Sequence, residues 1–127
     1  MSARNALLRD QSGATAVEFA LTLPIFIALV FGIIQVGMLL WTKLGMQNAV
    51  ETAARCASVN TTLCPDAASI QSFAAQNAFG LNLPSSTFVS TAPACGQQVS
   101  ATYSYPIFSP YFPASSVTLT AQSCAPT

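Results

Sequence analysis

The chain has 127 residues, room for one membrane helix and one small domain but not for two independent domains. Four Lys or Arg balance four Asp or Glu and there is no His. A nucleic-acid partner therefore has no electrostatic footprint, and acid–base catalysis has few groups to work with. From residue 61 onward the only charge is Asp66, whereas soluble domains carry charge on about a quarter of their residues. So neutral a tail suggests a secreted protein or a surface covered by neighbours. Its plentiful aliphatic and aromatic residues argue against disorder.

Residues 1–13 read as a short polar leader, and a helix is expected to begin near Thr15. Glu18 places a carboxylate at the start of a long apolar segment. On insertion scales a membrane carboxylate costs on the order of 3 kcal/mol, so Glu18 is a functional candidate. Local physics offers an equal alternative. Thr15-x-x-Glu18 has capping-box spacing, and the helix dipole favours a carboxylate there. The run from Phe19 to Trp41 carries no charge. At ~1.5 Å per residue it reaches roughly 35 Å as a helix, enough to cross a hydrocarbon core of about 30 Å. A secretory signal has a shorter apolar stretch of about 7–15 residues. Trp41 and Lys43 suit an interface anchor at the far end.

Within this run Ala16, Ala20, Pro24, Ala28 and Gly32 recur every four residues, and Gly45, Ala49, Ala53 and Ala57 resume the spacing. Small residues in such a row let helix backbones approach closely, which predicts helix packing. Pro24 removes one helical hydrogen bond, so a kink or local unwinding is expected near Ala20. Helix-forming residues without proline extend to Val59, and Asn60-Thr61-Thr62 breaks the pattern. Asn60-Thr61-Thr62 also has the form of a glycosylation sequon, a triplet common by chance. Pro65 and Asp66 open a second helix, with Ile70, Phe73, Ala74 and Asn77 at helical spacing and an end near Gly80. Residues 87–90, 98–105 and 116–122 read as strands. Between the last two lies a proline-punctuated aromatic loop, 106–113.

Cys56, Cys64, Cys95 and Cys124 all follow the apolar run. An even count on one side of a membrane favours disulfides over a metal site, and so an oxidising compartment. That places the C-terminal domain outside the cytoplasm and the N-terminus inside. Lys and Arg alone would not decide it, since Arg4 and Arg9 flank one end and Lys43 and Arg55 the other. Cys56 and Cys64 straddle the break at 60–62. Cys95 and Cys124 occupy adjacent ends of an antiparallel pair. The expected bonds are therefore Cys56–Cys64 and Cys95–Cys124, each contributing about 3–4 kcal/mol by loop closure.

Several elements together resemble the TadE-like family, the minor pilin-like proteins of tight-adherence pili. They are Gly13, the Val17-Glu18-Phe19-Ala20-Leu21 string, Leu23-Pro24, Gly32-Ile33-Ile34, Gly37, and Gln47-Asn48-Ala49 leading to Ala53-Ala54-Arg55. Gln35 departs from the pattern, where the family often has Glu. The resemblance implies cleavage by a prepilin peptidase between Gly13 and Ala14, making Glu18 the fifth mature residue. It also implies roles for Glu18 and Phe19 in assembly and register. A freed α-amine has an ordinary pKa of about 8 and is largely charged at neutral pH. Glu18 can pair with that amine in its own chain or a neighbour's.

The expected fold is α+β and pilin-like: a long N-terminal transmembrane helix extending into a small periplasmic domain with a second helix and a short antiparallel sheet. The divisions are a cytoplasmic leader at 1–13, a transmembrane helix at 14–42 and a periplasmic domain at 43–127. The resemblance implies a non-enzymatic subunit needed for pilus assembly, with no cofactor or metal. Its partners would be the prepilin peptidase, other pilin and pilin-like subunits, the inner-membrane assembly platform and the membrane. It would reside in the bacterial inner membrane, and incorporation in the pilus stays open. The alternative is a membrane-anchored periplasmic binding or surface-contact module without filament assembly.

Overall fold

The computed structural model describes residues 12–108 and 113–127. Positions 1–11 of the expected leader, Arg4 and Arg9 among them, lie outside the described residues, as do 109–112 of the aromatic loop. The elements are α1 (Ser12–Val59), α2 (Ala67–Gln76), a 3-10 turn (Ser85–Thr87), β1 (Phe88–Thr91), β2 (Gln97–Ile107) and β3 (Ser115–Ala125). This is the expected α+β arrangement. The chain divides into two compact units, Met1–Gly37 and Met38–Thr127.

The first unit is described by the N-terminal part of α1. The described helix already includes Ser12, three positions before the expected start, so Thr15 lies inside it and is not a cap. It also runs through Pro24 without interruption. Local unwinding does not occur, because proline removes one amide donor while the surrounding turns keep theirs. Thr22 Oγ1 donates to the carbonyls of Glu18 (3.1 Å) and Phe19 (3.2 Å), which removes a polar group from an apolar surface.

In the second unit, one face of α1 is buried. Thr42, Met46, Ala49, Val50, Ala53, Ala54 and Ala57 follow helical spacing and join the core. Leu44, Glu51, Arg55 and Val59 point outward. The helix stops at the expected break: Asn60 Oδ1 accepts from the amide of Leu63 at 3.1 Å, and the Cys64 amide donates to the Asn60 carbonyl. This turn sets the Cα atoms of Cys56 and Cys64 5.9 Å apart, joined by a disulfide. Asp66 caps α2, accepting from the Ser69 amide at 2.7 Å.

The sheet has the order β1-β2-β3 and is antiparallel throughout. The pairs Phe88↔Ala101, Ala101↔Ala121 and Tyr103↔Leu119 bring the inward side chains into line. Phe88, Val99, Ala101, Leu119 and Ala121 are buried, while Tyr103 and Tyr105 pack half-buried against them. The outward positions Thr102, Ser104, Thr118, Thr120 and Gln122 are uncharged. A second disulfide, Cys95–Cys124, closes one end of the sheet with a Cα separation of 6.4 Å. Gly96 is required there. Its φ is 118°, and an added Cβ would strike the carbonyl oxygen of Ala125.

Candidate functional site: the amino-terminal turns of the apolar helix

Gly13, Ala14, Glu18 and Phe19 all lie in the first two turns of α1. Ala14 and Glu18 are four residues apart, neighbours on one helix face with Cβ atoms about 5–6 Å apart. An amine on Ala14 and the Glu18 carboxylate are therefore within reach of one another along a single chain. Glu18 is exposed, and the next cation along α1 is Lys43, about 37 Å away at helical rise. Gly13 has open space around it: a Cβ there would meet nothing within 4 Å.

Beyond Glu18 the helix is apolar on every side. Leu21, Ile25, Phe26 and Ile33 are each about two-thirds exposed, and among the described residues none covers a face from Gly13 to Ile34. Fully burying such a side chain is worth about 1.5–3 kcal/mol. A surface with so many of them is one that lipid or other chains cover. Gly13–Val59 is the one described helix long and apolar enough to cross a membrane.

The row of small residues divides between the two units. Ala16, Ala20, Pro24, Ala28 and Gly32 are exposed. Gly45, Ala49, Ala53 and Ala57 are buried in the chain's own domain. At Gly45 an added Cβ would lie 2.6 Å from Leu81 Cδ1 and 3.1 Å from the Ala78 carbonyl oxygen. Sequence spacing reveals that a backbone can be approached but not which partner approaches it. Lys43 is half-buried, and its ammonium donates to the Thr120 carbonyl on β3 at an exposed position.

The second unit offers little chemistry. All four cysteines are in disulfides. A groove beside Ala57, Cys64, Ile70, Thr91 and Gln97 has Asp66 as its one charged group. Hydrogen bonds from the Ser69 hydroxyl, then from its amide, hold the Asp66 carboxyl below the usual range, as expected of a helix cap.

The structure thus defines a chain with one uncovered apolar helix that continues into a disulfide-bonded α+β domain. The family model described as TadE-like protein matches residues 13–55. This stretch contains Gly13, Glu18 and the small-residue row as far as Ala53; Ala57 and the rest of residues 56–127 lie outside it. Comparisons with curated proteins and with solved structures gave no match.

Proposed function

We propose that this chain is a minor pilin-like subunit needed for assembly of a tight-adherence pilus, cleaved by a prepilin peptidase between Gly13 and Ala14. The observation that carries the reading is Glu18, one turn from Ala14 on a helix with no described cation before Lys43 and apolar surface on all sides. The TadE-like match over residues 13–55 supports the pilus association.

The chemistry follows from the positions. Peptidase access requires the first turn to open. Gly13 eases this, since glycine is about 1 kcal/mol poorer than alanine in a helix and has no side chain to displace. Cleavage leaves a charged amine at Ala14. In the membrane the Glu18 carboxylate is costly alone and much less so when paired with an amine. If it pairs with a neighbouring subunit's amine, the charge pair selects one axial register between helices. The exposed row Ala16, Ala20, Pro24, Ala28 and Gly32 then lets the backbones close up. The domain from residue 43 onward lies on the periplasmic side, where its disulfides persist.

The test is Glu18→Gln. Glutamine retains hydrogen-bonding capacity and removes the charge. The expected outcome is normal membrane insertion with loss of piliation. Normal piliation would show that the charge is dispensable and would favour a plain membrane anchor.

A further inference from the structure

Phe79 is the side chain the fold does not account for. Its φ is 49°, a backbone region that bulky residues rarely occupy. The ring is 57% exposed, so core packing does not explain it. The turn carrying it is firmly held. Asn48 Nδ2 donates to the Asn77 carbonyl at 3.0 Å, and Asn77 Nδ2 donates to the Phe73 carbonyl at 2.8 Å. The contacts descend along α1. Asn77 is tied at Asn48, Ala78 crosses at Gly45, and the Phe79 ring reaches Trp41 with centroids 6.2 Å apart. Trp41 ends the apolar run and is 58% exposed; Leu44, one turn on, is 63% exposed.

We propose that this turn is a second membrane contact. Phe79, Trp41 and Leu44 sit together in the headgroup region of the bilayer that α1 crosses, so the domain rests on the membrane as well as being tethered to it. The inference depends on the reading of α1 as a membrane span. Continuity favours lipid as the occupant: the patch begins at the residue where the apolar run ends. Aromatic rings are favoured at that depth. The chain from Ala67 to Thr127 carries no charge to be desolvated there.

Trp41 is the single tryptophan, which makes fluorescence the direct test. The full chain is reconstituted in phosphatidylethanolamine–phosphatidylglycerol vesicles with and without brominated lipid. Phe79→Trp and Val59→Trp reporters are each built on Trp41→Phe. Leu44→Trp on the same background is a further reporter that leaves the turn untouched. Expected is as large a loss of emission in brominated lipid for the reporters at 79 and 44 as for native Trp41, with little acrylamide quenching. The reporter at 59, 85% exposed at the far end of α1, should show the reverse. Reporters at 79 and 44 that behave like the one at 59 overturn the proposal. Shielding from acrylamide without quenching by brominated lipid also overturns it, in favour of a protein neighbour. If native Trp41 is itself untouched by brominated lipid, the membrane span falls and this contact with it.

Discussion

Ala28 and Gly32 lie in the same helix as Ala49 and Ala53 and recur at the same four-residue interval, yet their surroundings are opposite. The first pair is exposed on a helix the chain leaves bare; the second is sealed in the core of the chain's own domain. Between Met38 and Val59 the chain supplies its own partner, a sheet and a short helix whose inward residues fill the space left by alanine side chains. Between Gly13 and Ile34 every residue is exposed among the described residues. The same local pattern thus serves intramolecular packing in one stretch and, in the proposed reading, packing between subunits in the other.

The largest effect that sharpens this contrast is expected at Phe88, fully buried where the sheet meets the helices. Phe88→Ala should cost about 3–5 kcal/mol, a large part of the total for a domain of ordinary stability. Phe26→Ala, in the exposed stretch, should leave thermal unfolding of the detergent-solubilised chain unchanged. Equal losses from the two would break the comparison.

A smaller effect is expected at the paired glycines. Gly45→Val forces a side chain against Leu81 and the Ala78 carbonyl and should destabilise the domain by about 1–3 kcal/mol. Gly32→Val meets nothing within 4 Å. It should leave the melting temperature alone and reduce piliation. A melting loss at position 32 would mean that the N-terminal stretch has an internal partner after all.

These glycines also mark how far the sequence could be read. The helix end at Asn60, the Asp66 cap and the three strands were legible, because each depends on a side chain acting on its own neighbours or on local alternation. The start of α1 was less so. Residues 1–13 read as a leader and Thr15 as a cap, yet the helix already includes Ser12. The destination of the small-residue row was not legible, since alanine every four residues permits close approach without naming a partner. The bond from Lys43 to Thr120 joins residues 77 apart in the chain, which no local signal announces. Phe79 was missed for a related reason. Gly80 next to it reads as the terminator, and nothing local shows that the bulky residue before it also adopts positive φ. Of the candidate site, the carboxylate and the preceding glycine were visible in the sequence. The uncovered surface around them required the structure.

The smallest expected effect is the acid response of the second unit. The folded Asp66 carboxyl titrates below its ordinary range because Ser69 donates to it. A lowered carboxylate stabilises the fold above its unfolded pKa, and that contribution is lost as pH falls through the folded pKa. Asp66→Asn keeps a capping oxygen and removes the titration. Melting temperatures of the two proteins should run parallel at neutral pH and change their spacing only as pH falls into and below the usual carboxylate range. A spacing that changes near neutrality would assign the effect to another group.

The central claim is that the bare helix begins as a processed pilin-like terminus, with Glu18 one turn from a new amine. N-terminal sequencing of the protein extracted from membranes of a strain with an active prepilin peptidase tests it most directly. The account predicts a mature chain that starts at Ala14. A chain that retains residues 1–13 under those conditions would contradict it and leave Glu18 without the partner on which the proposed register depends.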